Sequence, residues 1–152
     1  MKVGIGSDHA GYRLKKLLLP MLEKEGFELT DVGTYSEDSV DYPDFAVQVA
    51  KGVASGEYDR GVLICGTGLG MAISANKVSG IRAVTVHDTF SAEMARRHNN
   101  ATVMTMGERV IGPGLAAEIV KVFLTTEFEG GRHQRRVDKM TEIERQNLDA
   151  TC

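Results

Sequence analysis

The sequence predicts an α/β fold built on a parallel sheet covered on both faces, and two observations lead there. Short apolar runs alternate five times with stretches of helical periodicity, the pattern of strands joined by helical crossovers. No linker, low-complexity tract or clear repeat divides the chain, and 152 residues are enough for about one domain.

The elements follow in order. "KVGI" (2–5) reads as a strand. The stretch 12–26 reads as a helix, because Leu14, Leu17, Leu18, Met21 and Leu22 repeat at helical spacing and Gly26 suits its C-terminal end. Pro20 lies inside that pattern and should bend or restart it. "ELTDVG" (28–33) is a second strand. The stretch 43–56 is a helix, with Pro43 early and Gly56 at its close. "RGVLIC" (60–65) is a third strand, with Val62, Leu63 and Ile64 reading as buried. Glycines 66, 68 and 70 break it, and a helical pattern runs from Met71 to about Val78. "RAVTVH" (82–87) and "ATVMTMG" (101–107) complete the strands. Helices are expected at 89–98, 113–125 and about 132–148, the last beyond the five-strand core and free to pack on a partner subunit.

Bulk properties exclude several classes of function. Apolar content of 42% and charged content of 26% fit an ordinary globular protein. A net charge of −3 gives no reason to expect nucleic acid. Two cysteines, Cys65 and Cys152, make no disulfide framework. Asp8 interrupts the N-terminus too early for a signal-peptide core, and no apolar stretch approaches the roughly 18 residues that span a bilayer, so a cytoplasmic location is expected. Four scattered histidines show no metal-ligand spacing, and no metal is expected.

In open parallel sheets, ligands sit beyond the carboxyl ends of the strands. There the sequence puts Ser7, Asp8, His9 and Gly11, then Cys65 to Gly70, then His87 and Asp88, then Gly107, Glu108 and Arg109. The glycine loop fails three familiar patterns. The dinucleotide fingerprint needs a glycine at 71, which is Met71; a P-loop needs a closing Gly-Lys-Ser/Thr; a cysteine phosphatase needs an arginine at that same Met71. What remains is a loop whose amides can converge on an anion, beside a helix start that would favour thiolate at Cys65. The plainer alternative is a small buried cysteine ending a strand before a tight turn. Asp8 could cap the next helix. His98 could favour the negative end of a helix dipole or act as an acid/base near neutrality, and Asn99 or Asn100 could be the left-handed cap. Arg132 and Arg136 share a helix face and suit a phosphate, or form a solvated surface.

Taken together, "SDHAG", "DYPDFA", "ICGTGLGMAISANKVSGIRA", "RRHNNA", "GERVIG" and "EGGRHQRRVD" resemble the ribose-5-phosphate isomerase B family of the ribose/galactose isomerases, in order from Lys2 to about Ile143. The resemblance implies a Rossmann-like three-layer α/β/α sandwich with strand order 2-1-3-5-4. It also implies metal-free, cofactor-free interconversion of ribose 5-phosphate and ribulose 5-phosphate, in homodimers or tetramers whose sites are shared between chains. By the same resemblance, Cys65 is the base, Thr67 assists at the C1/C2 oxygens, and the backbone from Gly66 through Gly68 to Gly70 holds the enediolate. His98 opens the ring, Asp8 and Tyr42 place the sugar, and Asn99 contacts its hydroxyls. His9, Arg132, Arg136 and Arg109 hold the phosphate. Members without the cysteine use a glutamate where this chain has Ala75, so it is of the cysteine type. The segments "RHN" and "GGRHQ" favour the ribose branch over the galactose 6-phosphate branch. A six-carbon substrate such as allose 6-phosphate, and a non-enzymatic phosphosugar-binding module, are the alternatives.

Overall fold

A computed structural model describes residues 1–149; Cys152, the second cysteine, lies outside the described residues. The strands are β1 (Lys2–Ser7), β2 (Glu28–Asp31), β3 (Arg60–Cys65), β4 (Ala83–Thr85) and β5 (Val103–Gly107). The helices are α1 (Tyr12–Lys24), α2 (Tyr42–Ala54), α3 (Leu69–Ala75), α4 (Thr89–Arg97), α5 (Pro113–Thr125) and α6 (Arg132–Asp149). The five strands form one sheet in the order β2-β1-β3-β5-β4, every neighbouring pair parallel. Helices cover both faces, giving the Rossmann-like sandwich that the resemblance implied.

Alternation along β3 divides the core. Val62 and Ile64 join Val3, Ile5, Met104 and Met106 under α1, α4 and α5. Leu63 and Cys65 face the other layer, with Ala46, Val49 and Ala50 of α2 and Met71 and Ala75 of α3. A residue at 65 therefore points into the α2–α3 side by strand period alone. Large side chains such as Leu18, Ile119 and Phe123 are fully buried, each stabilising by about 1.5–3 kcal/mol relative to exposure.

Several local expectations change. Helix α1 runs unbroken from Tyr12 through Pro20 to Lys24, and Gly26 follows its end at φ +88°, where a side chain would be strained. Helix α3 starts two residues earlier than its apolar pattern suggests, at Leu69, because Gly68 in the left-handed region turns the chain into the helix at once. Strand β4 shrinks to three residues at the sheet edge. Asp8 does not cap α1, because a turn intervenes: its carboxylate accepts the amides of Ala10 (2.9 Å) and Gly11 (3.1 Å). The orphan Leu14 amide of α1 instead donates to Glu108 Oε2 at 2.9 Å, a cap reaching across from the end of β5. Asp88 caps α4, accepting the Ser91 amide at 2.7 Å, and that bond holds its carboxyl below the usual range. Asn100, at φ +47°, is the left-handed residue after α4.

Candidate active site

Cys65 ends β3 and pairs in register with Gly107, the last residue of β5. Its side chain is buried, 6% exposed, and Sγ accepts the Gly68 amide at 3.1 Å. The loop is held from beneath. Gly68 sits at φ +82°, and a Cβ there would come within 2.9–3.0 Å of the Met106 backbone. Its carbonyl accepts the Thr105 hydroxyl at 2.8 Å. Gly107 presses on the backbone of Thr67, and its amide donates to His87 Nε2 at 2.9 Å, which gives His87 a structural task that its sequence position did not reveal.

Around this loop stand most of the residues expected there. Asp8 is buried, and its amide donates to the Ile64 carbonyl, one residue before the thiol. His9 is half-buried, and its Nδ1 accepts the Val40 amide at 3.2 Å. A Cβ on Gly70 would lie 2.7 Å from the Tyr42 ring, and one on Gly66 would lie 3.3 Å from Arg109 Nη1. Both glycines thus admit a side chain over the loop. Thr67 is exposed at the tip. Ser7 Oγ, at the end of β1, is buried without a hydrogen-bond partner among the described residues.

The remaining expected residues gather elsewhere. Helix α4 leaves the carboxyl end of β4 and runs back for nine residues, roughly 13.5 Å. Its last turn therefore lies at the amino edge of the sheet. Arg82, just before β4, donates to the Asn100 carbonyl at 3.0 Å and fixes that position. His98 and Asn99 are here, and the start of α6 joins them, the Glu129 amide donating to the Arg97 carbonyl at 3.1 Å. The rings of His98 and His133 stack with centroids 4.1 Å apart and planes 6° from parallel. Arg132 and Arg136 are exposed on α6, and neither is in an ion pair among the described residues. Within one chain, then, Cys65 and His98 face opposite edges of the sheet.

His133 and Glu129 had no expected role. Burial and the neighbouring His98, followed by Arg132, push the His133 pKa below its ordinary value. Arg97 holds the Glu129 carboxyl below the usual range. One nitrogen of each imidazole and a Glu129 oxygen lie within 4.8 Å of one another, close enough for one ion to touch all three. Arg132 already puts a cationic nitrogen against His133 Nε2, and Arg97 occupies the other Glu129 oxygen, which opposes a metal. A cleft of about 450 Å³ between α1 and α5 contains none of these residues.

Comparisons with known proteins give the family. A model of the Ribose/Galactose Isomerase family matches residues 3–140. A putative sugar phosphate isomerase of Bacillus subtilis (strain 168) is 55% identical over 149 residues, 97% of this chain and 100% of that one. A D-erythrulose-4-phosphate isomerase of Pectobacterium atrosepticum is 45% identical, over 96% of this chain and 97% of that one. The solved ribose-5-phosphate isomerase B of Clostridium thermocellum superposes with a TM-score of 0.95 at 54% identity, covering 97% of this chain and 99% of that one. No helix among the described residues is long and apolar enough to cross a membrane. The chain belongs to the ribose/galactose isomerase family, with the fold and sequence of its ribose-5-phosphate isomerase B branch, and it is an isomerase.

Proposed function

We propose that the chain interconverts ribose 5-phosphate and ribulose 5-phosphate through an enediolate, in a homodimer whose two sites each draw on both chains. The Cys65 thiolate takes the proton from C2 of the open-chain aldose and returns one to C1. The Gly68 amide on Sγ carries this reading, since it is a fixed donor that steadies the charged sulfur before it takes the proton. The neighbouring amides of Gly66 and Gly70, with the Thr67 hydroxyl, face the C1 and C2 oxygens as charge develops on them. Asp8 and Tyr42 orient the sugar.

The separation of the two clusters supports the dimer. A two-fold axis brings the carboxyl edge of one chain to the amino edge of the other and makes two equivalent sites. His98 of the second copy then opens the furanose ring and Asn99 contacts the hydroxyls. Arg132 and Arg136, with His9 and Arg109, hold the phosphate in charge-assisted bonds. Helix α6, which presents exposed Met140, Ile143 and Leu148, packs on the partner.

Substrate length is tested by comparing kcat/KM for ribose 5-phosphate, D-erythrulose 4-phosphate, allose 6-phosphate and galactose 6-phosphate. The four-carbon sugar enters because relatives that isomerise D-erythrulose 4-phosphate are 45% and 49% identical to this chain. Ribose 5-phosphate is expected to be preferred by about tenfold or more, the discrimination that one carbon unit commonly gives. A higher value for another sugar reassigns the substrate. Binding without turnover of any of them marks a phosphosugar-binding module instead.

A further inference from the structure

The cluster at the amino edge contains a carboxylate with no place in the chemistry above. Glu129 spends one oxygen on Arg97: Oε1 accepts Arg97 Nε at 2.6 Å and also meets its Nη2. Arg97 is itself fixed by Glu93 at 2.8 Å. The other oxygen, Oε2, is left facing the two stacked rings, 3.9 Å from His98 Nε2 and 3.5 Å from His133 Nε2. These distances are longer than hydrogen bonds, so the interaction is that of a fixed charge. The two rings are unequal. The side chain of His133 is 7% exposed and that of His98 is 36% exposed. Arg132 Nε approaches His133 Nε2 at 3.4 Å as a donor, which suits a neutral His133 with its proton on Nδ1. Two stacked imidazoles at 4.1 Å do not both carry charge cheaply. The charges facing the pair are Glu129 from the loop before α6, Arg97 from α4, and Arg132 and Arg136 from α6. Glu129 is the one acid among them.

We propose that Glu129 is a positioning residue for ring opening: anchored by Arg97, its free oxygen keeps a single proton on the stacked pair, which the burial of His133 and the Arg132 donor on its Nε2 leave on the exposed ring, His98. This rests on the reading of His98 as the ring-opening group. In that step the His98 imidazolium gives its proton to the ring oxygen as the C1–O bond breaks. The imidazole then receives the C1 hydroxyl proton, so the aldehyde forms with no net proton gained or lost. His133, neutral and buried, sets the plane of its neighbour and keeps the charge from spreading inward.

The experiment is a titration of the histidine ring resonances by NMR, with no substrate present, in the wild type, Glu129→Gln and Glu129→Asp, alongside kcat and KM for each. With Glu129→Gln the protonation step of the stacked pair is expected to move about 0.5–1 unit to lower pH, the reach of a partly exposed neighbouring charge. In the same variant kcat falls about tenfold and KM changes less than threefold. Glu129→Asp keeps the charge and holds the step within about half of the Gln displacement. An unchanged titration in Glu129→Gln overturns the proposal even if activity falls, since activity would then be lost through the fold. A normal displacement in a chain that isomerises no sugar phosphate leaves the assignment of Glu129 standing and removes the sugar reading instead.

Discussion

Cys65→Ala is expected to lose isomerisation by at least about 100- to 10,000-fold, the usual contribution of a positioned acid or base, with no change of fold. The sulfur sits at the end of β3, and replacing it leaves the strand's pairing with β5 untouched. One small group leaves a packed layer beneath α2 and α3, a change costing about 1–2 kcal/mol at most. Circular dichroism and thermal unfolding should therefore stay near the wild type while kcat collapses. Ala75 lies in the same layer and carries no titratable group, so it offers no second base in place of the thiol. Substantial activity in a folded Cys65→Ala protein would remove the cysteine from the mechanism.

Gly68→Ala should have the next largest effect. At φ +82° an alanine is strained, and its methyl would meet the Met106 backbone at 2.9–3.0 Å, which cannot swing aside as a side chain can. The loop must move, and its movement takes the Gly68 amide off Cys65 Sγ and the Gly68 carbonyl off Thr105. The displaced loop also carries the neighbouring Gly66 and Gly70 amides off the oxygens on which charge develops, and losing one such donor typically lowers kcat about 100- to 1000-fold. KM should change less, because His9, Arg132 and Arg136 stand outside the loop. A variant with wild-type kcat would show that the amide does not matter to the reaction.

The sequence carried more of the fold than of the site. Unbroken apolar runs and helical periodicity located every strand and helix, with errors only at ends such as β4 and α3, where pairing and a left-handed glycine decide the boundary. The cluster at the carboxyl edge was also legible, because parallel topology gathers the residues that follow each strand. The second cluster was not legible as a separate place. Nothing in "RRHNN" or "GGRHQ" says that α4 carries His98 back to the amino edge, or that His133 stacks on it. Glu129, the first residue of "EGGRHQRRVD", stands out from its basic neighbours only once Arg97 is seen to grip it. Asp8 looked like a helix cap because the turn before α1 has no signature stronger than Gly11.

The central claim is that each site needs two copies of the chain, and mixing two inactive proteins tests it most directly. Cys65→Ala damages the cluster at the carboxyl edge, and Arg132→Ala together with His98→Asn damages the one at the amino edge. In a mixed dimer both lesions fall in one site, and the other site is whole. Unfolding and refolding the two proteins together at equal concentration should then restore activity to about a quarter of the wild type, since about half the dimers are mixed and each keeps one of two sites. If the mixture stays as inactive as its parents while mixed dimers are demonstrably present, the two clusters do not form one site.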